Sequence, residues 1–432
     1  MRSRVSRKDT GNQHDADKTG LGEIKMKKLA SYMNSLKILG GLLVDIPFLV
    51  FWKIESLLPR DKKLWIFSSW FGKRYSDSSK TLFEYVSAQK KDIRCVWILR
   101  NKALVKELRG KGIEAYMDNS IPAIFLALRA GKFFSITGDE FSLRYINGAD
   151  FYEIWHGMPL KQILNNDDLG VGKYGKIGRL KKRLTCFKWN NFLWYERLYT
   201  CTSSDFFTPI LSSAFTLPEE RILKTGLPRC DKMFAPQKED LIEDIRQKYH
   251  DCKIILYMPT FRTSSWTGEI FNPFSKDYSF NHEEFHKVLS ENNLVFLFKP
   301  HFYDLKVLES KEKSDRFITI SDEDFEDLYS LLGQIDILMT DYSSVYFDFI
   351  PTKKPVILAP FDLENYTSTA RKLYFDYSEV DGEKAKDWNE IFLMLRNKKY
   401  RPASEESIRK FSLYIDGKCS EKLCSIVEEE KV

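Results

Sequence analysis

The sequence predicts an α/β protein made of two doubly wound, Rossmann-like domains facing one another across a cleft, with an amphipathic helical segment ahead of them. Short apolar runs alternate with helical stretches, and they do so in two series separated by a punctuated segment, Gly226 to Pro236. Size agrees: 432 residues with 43% hydrophobic and 14% aromatic content can fill two cores of ordinary domain size. No short internal repeat is visible.

The first sixty residues differ from the rest. Residues 1–22 are polar and charged, the composition of a disordered tail. Residues 23–60 gather Leu, Ile, Met, Phe and Trp among Lys25, Lys27, Lys28, Lys37 and Lys53, and Asp45 and Pro47 interrupt the most apolar part. That run is too short for a comfortable transmembrane helix and starts too late for a signal peptide, so it reads as a helix lying on a membrane face; a helix packed on the first domain is the main alternative, and a single span the less favoured one.

Residues 61–230 form the first predicted domain. Its strands are Leu64 to Ser68, Cys95 to Leu99, Lys132 to Ile136, Phe151 to Trp155 and Leu198 to Thr202, with helices such as Ser79 to Gln89 and Ile121 to Ala130 between them. Residues 165–197 interrupt it with Lys173, Lys176, Arg179, Lys181, Lys182, Arg183 and Lys188 beside Phe187, Trp189, Phe192, Trp194 and Tyr195. Basic residues with interfacial aromatics suit an anionic bilayer; a nucleic-acid groove or a plain solvated helix face has the same composition. The net charge of +6 is too mild for this length to indicate nucleic acid, and none is expected as a partner. Residues 231–432 form the second predicted domain, opening on a charged helix, Lys238 to Tyr249. Its strands are Lys253 to Met258, Leu294 to Phe298, Phe317 to Ile320, Ile335 to Met339 and Pro355 to Ala359.

Chemistry gathers where strands end. Ile335 to Met339 empties into Thr340-Asp341-Tyr342-Ser343-Ser344, the start of a helix where orphan N–H groups and small hydroxyls favour an anion. Lys253 to Met258 runs into Pro259-Thr260-Phe261-Arg262, and Leu294 to Phe298 into Lys299-Pro300-His301. Ligands of open parallel sheets sit beyond the carboxyl ends of strands, so Arg262, Lys299, His301, Ser343 and Ser344 are expected to share one crevice. Upstream, Phe151 to Trp155 leads into His156-Gly157-Met158-Pro159-Leu160-Lys161. Two of only six histidines thus follow buried-strand patterns. Asp348, one helical turn beyond Ser344, is expected on the same face.

These residues resemble the glycerophosphotransferases and ribitol phosphotransferases that use CDP-alditols to build teichoic acids and related capsular polymers. The likeness runs through Phe71-Gly72-Lys73-Arg74-Tyr75-Ser76-Asp77, Trp155 to Lys161, Thr225-Gly226-Leu227-Pro228-Arg229-Cys230-Asp231, Pro259 to Arg262, Lys299 to His301, Thr340 to Ser344 with Asp348, Asp362-Leu363-Glu364 and Tyr374-Phe375-Asp376-Tyr377. Met158 and Cys230 depart from the usual pattern, and Met158 bears on acceptor preference. The resemblance implies a GT-B-like arrangement and transfer of glycerol phosphate or ribitol phosphate from CDP-glycerol or CDP-ribitol. It further implies a polyprenyl-diphosphate-linked saccharide or growing polymer as acceptor, and release of CMP.

His156 is the expected base that activates the acceptor hydroxyl, because imidazole titrates near neutrality. Arg262, His301, Ser343 and Ser344 would stabilise charge on phosphate oxygens, with His301 also assisting departure of CMP. Lys161, Lys299, Thr340 and Asp341 complete the expected substrate contacts. Asp348 would orient the donor's glycerol hydroxyls or a histidine, and Glu364 would hold the ribose. No metal or cofactor is demanded: the acidic groups Asp139-Glu140 and Asp322-Glu323-Asp324 lack a neighbouring histidine. Seven cysteines without paired spacing fit a reducing compartment, and the expected place is the cytoplasmic face of the membrane, as a peripheral protein, with a homo-oligomer left open. Two other classes remain: a nucleotide-sugar glycosyltransferase of the same architecture, and a non-catalytic membrane scaffold.

Overall fold

The computed structural model describes residues 54–138, 145–167, 197–236, 238–260, 271–300 and 315–429. Arg262, His301, Asp139, Glu140, most of the 23–60 segment and nearly all of the 165–197 insert lie outside the described residues. The described chain is a mixed α/β fold around two mainly parallel sheets.

The first sheet has strands β1 (Asp61–Phe67), β2 (Arg94–Leu99), β3 (Ala115–Met117), β4 (Ala130–Ser135), β5 (Asp150–Glu153), β6 (Leu198–Thr202) and β7 (Ile222–Lys224). They lie in the order β3-β2-β1-β4-β5-β6-β7 and every pairing is parallel. Parallel strands covered on both faces read as unbroken apolar runs, which is why five of these seven were legible. Register then builds the core. Phe67, Phe134, Tyr152 and Tyr199 are neighbours on adjacent strands, and their rings stack in sequence at 4.8, 5.0 and 5.2 Å. Each such aromatic pair adds about 0.5–1.5 kcal/mol beyond its buried area.

The second sheet has β8 (Lys253–Met258), β9 (Leu294–Phe298), β10 (Phe317–Thr319), β11 (Ile337–Thr340), β12 (Pro355–Leu358), β13 (Glu383–Lys384) and β14 (Arg401–Pro402). Its order is β10-β9-β8-β11-β12-β13, with β14 antiparallel on β12. Counted from its own first strand this repeats the order 3-2-1-4-5-6 of the first sheet, so each sheet has one point where strand order reverses: between β1 and β4, and between β8 and β11.

Strand β11 begins two residues later than the sequence suggests, because Ile335 closes the preceding helix, Leu328–Gln334, and the Asp336 carboxylate accepts from the Ile254 N–H at 2.9 Å. Thr340 is therefore the last strand residue and not the first of the loop.

The two sheets are tied by chain that crosses between them. Leu160 to Ile163 lies against Lys372 to Tyr374, joined by Tyr374 N–H to Leu160 O and Gln162 N–H to Lys372 O, each 2.9 Å. The last helix, Cys419–Glu429, returns to the first sheet, where Lys90 pairs with Glu428 at 2.6 Å. Gly226 makes that return possible: at φ +72 its missing side chain leaves room for the Cys419 thiol, which would lie 2.7 Å from a Cβ. This crossing back lies inside the 231–432 segment that the sequence assigns as a whole to the second domain.

Candidate active site

The loop after β5 carries the only expected catalytic histidine that falls within the described residues. Trp155 has φ 69 and Gly157 φ 135, so the turn bends through conformations that an aromatic residue rarely takes. Buried Glu153 fixes it from below, with Oε2 accepting from Ser135 Oγ at 2.6 Å and Oε1 from the Trp155 N–H at 3.3 Å.

His156 is half-buried, flanked by the rings of Trp155 at 4.1 Å and Trp70 at 5.8 Å. Its Nδ1 lies 2.7 Å from Ile136 O, in the loop after β4. A carbonyl only accepts, so Nδ1 carries the proton and Nε2 keeps its lone pair. Burial pushes the imidazole below its ordinary 6.5, with Arg229 adding in the same direction against the pull of the Ile136 carbonyl. The side chain is thus a neutral base at pH 7, in one tautomer.

Gly157 brings this turn onto the second sheet's reversal point. A Cβ there would meet Ser344 Oγ at 2.5 Å and Ser344 Cβ at 2.8 Å. Only glycine allows both the backbone angle and the approach. Ser343 and Ser344 are half-buried, and Ser344 does not cap the helix it precedes. That helix, Val345–Phe349, is a short turn continued by Ile350–Thr352, not the longer element the phosphate-site reading pictured.

Thr340 and Asp341 do different work from the substrate contacts expected of them. Thr340 Oγ1 donates to Met258 O at 2.7 Å, and the Asp341 carboxylate accepts from the Thr260 N–H at 2.9 Å. Both are buried, and together they clamp the ends of β8 and β11. Lys161 reaches across from the first-sheet side, its Nζ 3.4 Å from Thr260 Oγ1 and 5.9 Å from the centre of the Tyr366 ring.

Lys299 at the end of β9 is held by Asp322 at 2.8 Å, and Asp322 also takes Arg74 of the first sheet's β1 loop at 2.6 Å. Burial raises the Asp322 carboxyl, but the two cations outweigh it and hold it below the usual carboxylate range. The sequence treated Asp322 as an ordinary loop residue; it joins the two sheets. Glu364 lies exposed in the first turn of the helix Leu363–Thr369.

Asp348 departs furthest from expectation. It is fully buried, and its Oδ2 accepts from Arg229 Nη2 at 2.7 Å and from Tyr329 Oη at 2.8 Å. Arg229 and Tyr329 share its Oδ2, while its Oδ1 is buried without a hydrogen-bond partner among the described residues. Arg229 also donates Nη1 to both Asp77 carboxylate oxygens at 3.2 Å. Its Nη2 would lie 3.1 Å from a Cβ at Gly157, so this ion cluster directly backs the His156 turn. Sequence reasoning quoted Arg229 and Asp77 within motifs and gave neither a role, since no local pattern links them. Met158 and Cys230, the two departures from the family pattern, are both wholly buried, and Met158 packs in the core. Among the described residues no group of three or more His, Cys, Asp or Glu side chains converges as a metal site would require.

A twofold sheet plan with its polar loops gathered at both reversal points, and a neutral imidazole set over one of them, defines a group transferase acting on a nucleotide-type donor. The chain belongs to the family CDP-Glycerol:Poly(glycerophosphate) glycerophosphotransferase, whose family model matches residues 50–429. It is 29% identical over 396 residues to a teichoic acid glycerol-phosphate transferase of Staphylococcus aureus, covering 87% of this chain and 95% of that protein. A teichoic acid poly(glycerol phosphate) polymerase of Bacillus spizizenii is 28% identical over 356 residues, 78% of this chain and 84% of the relative. A variant of the wall teichoic acid polymerase TagF shares the fold, with TM-score 0.69 at 23% identity over 93% of this chain and 98% of that one. The chain is therefore an enzyme, a transferase of the CDP-glycerol-dependent, teichoic acid type, as the resemblance implied.

Two outcomes follow. Gly157→Ala pushes the turn off Ser344, so kcat should fall about 100-fold, the cost of displacing reacting groups by roughly 1 Å, while thermal unfolding shows the chain still folded; wild-type turnover would contradict the geometry. Because His156 is neutral above its lowered pKa, activity should persist as pH falls to 6.5 and drop only below it. An acid limb of the kcat/KM profile centred at 7 or above would show that this imidazole is not the base.

Proposed function

We propose that the two sheets are the cores of two domains facing a cleft in the GT-B manner, near 61–230 and 231–432, and that the enzyme moves glycerol phosphate or ribitol phosphate from a CDP-alditol to a lipid-linked saccharide or growing polymer. The observation that carries this reading is the seat of Gly157 on Ser344, which sets a neutral His156 beside the loop after β11.

His156 Nε2 takes the proton of the acceptor hydroxyl as its oxygen attacks the phosphorus that bears the alditol. The bond from that phosphorus to the bridging oxygen breaks, and the electron pair leaves with CMP. Ser343 and Ser344 offer hydroxyl donors to the diphosphate, and Lys161 and Lys299 offer charge; a diphosphate can compete with Asp322 for Lys299. Arg262 and His301 follow directly on β8 and β9 in sequence and take the remaining cationic and acid roles. No resident metal or cofactor enters this scheme.

The place of action is the cytoplasmic membrane face, with the protein peripheral to it. No helix among the described residues is long and apolar enough to cross a membrane. The basic, aromatic insert and the 23–60 segment supply the attraction to an anionic surface.

Purified protein incubated with CDP-glycerol or CDP-ribitol and a lipid-linked acceptor should release CMP and lengthen the acceptor by alditol phosphate units. His156→Ala should slow this by about 100-fold to 10,000-fold. Release of CDP, or an unaffected His156→Ala variant, would overturn the proposal.

A further inference from the structure

We propose that Arg74, in the loop after β1, is a further binding residue for the donor's diphosphate, and that Asp322 is the resident anion exchanged for it. The loop that carries Arg74 already touches the site at two other points. Trp70 sets its ring 5.8 Å from that of His156, and the Asp77 carboxylate accepts from Arg229. Arg74 stands between these two in sequence, beyond the carboxyl end of β1, where ligands of parallel sheets are held.

Both partners stand on braced loops. Around Arg74, the Gly72 N–H donates to Ser69 O and the Lys73 N–H to Trp70 O, each at 3.0 Å, and Ser69 Oγ donates to Ser76 O at 3.0 Å. Beside Asp322, the Ser321 N–H and Oγ both donate to the Asp324 carboxylate, at 2.7 and 2.8 Å. The Ile320 N–H donates to Phe298 O at 2.8 Å, so this turn starts next to the residue that precedes Lys299.

Asp322 holds the place of a substrate anion. Its Oδ1 lies 2.8 Å from Lys299 Nζ and its Oδ2 2.6 Å from Arg74 Nη1, one cation on each oxygen. Lys299 follows β9 and Arg74 follows β1, so the two cations come from the loops of the two sheets and meet on one carboxylate. A phosphate likewise presents two oxygens from one centre, carries more charge than a carboxylate, and suits the guanidinium's fixed donors. The Arg74 and Asp322 side chains are 42% and 35% exposed, so an incoming anion reaches them from solvent, and a pair this exposed adds little to stability. Held below the ordinary carboxylate range by its two cations, Asp322 is charged at neutral pH and competes with any other ligand of Lys299. Exchange hands both cations to the diphosphate, and the loops of the two sheets are then tied through the ligand.

This deepens the proposed function and rests on its donor assignment. The test is calorimetric titration of the full chain with CDP-glycerol and with CDP-ribitol, without acceptor. R74Q should bind the donor about 10-fold more weakly, the loss of one charge-assisted hydrogen bond. D322N should bind it more tightly, by about five-fold, because removing a competing occupant raises the fraction of protein ready for the ligand. The two shifts have opposite signs. A bridge that only steadied the fold would instead give weaker or unchanged binding in both variants. Unchanged affinity in R74Q, or weaker or unchanged affinity in D322N, would overturn the proposal while leaving the donor assignment intact. A wild type that binds neither CDP-alditol would overturn the donor assignment, and this inference with it.

Discussion

A buried guanidinium holds the two halves of the site in register. Arg229 sits between Asp77, which opens the helix after β1, and Asp348, in the short helix after β11, and Tyr329 supplies a further donor to Asp348. Burial opposes every charge in this group, and the Asp348 carboxyl is raised by it while Arg229 pulls it back. Such a cluster adds little net stability, but removing one member strands the others and costs about 3–5 kcal/mol. Its value here is geometric. Held between the two carboxylates, Arg229 Nη2 would lie 3.1 Å from a Cβ at Gly157, so the cluster packs directly against the turn that rests on Ser344.

The rest of the site is arranged around that contact. Each sheet reverses its strand order once, and the polar loops collect at those two points. On one side Glu153 and Ile136 fix the turn and tautomer of His156. On the other, Thr340 and Asp341 close the seam between β8 and β11 so that Ser343 and Ser344 stand at its rim. Asp322 bridges Lys299 and Arg74 at a second crossing. Ionic and backbone contacts between the halves lie close to the chemistry.

All ten strands read from the sequence are present, because a parallel strand buried on both faces must be an unbroken apolar run. The strands that went unread, β3, β7, β13 and β14, have three or two residues, too few for a pattern. Positions were legible where candidate residues follow local order: His156 after β5, Ser343 and Ser344 after β11. They were misread where one residue type serves two purposes. A threonine or aspartate at a strand end can bind a ligand or clamp the neighbouring strand, and because β11 ends one residue later than read, Thr340 belongs to the strand and clamps its neighbour. Asp348 was placed by helical spacing on a helix that lasts only Val345–Phe349. Arg229 was beyond local reasoning, since its carboxylate partners lie 152 and 119 residues away.

The most direct test is a double-mutant cycle on Arg229→Met and Asp348→Leu, reading kcat for alditol phosphate transfer. If the ion cluster sets the His156 turn through their mutual contact, each single variant loses activity and the double variant loses less than the two combined, with a coupling of about 1–3 kcal/mol. Strictly additive losses, or single variants with wild-type kcat, would contradict it.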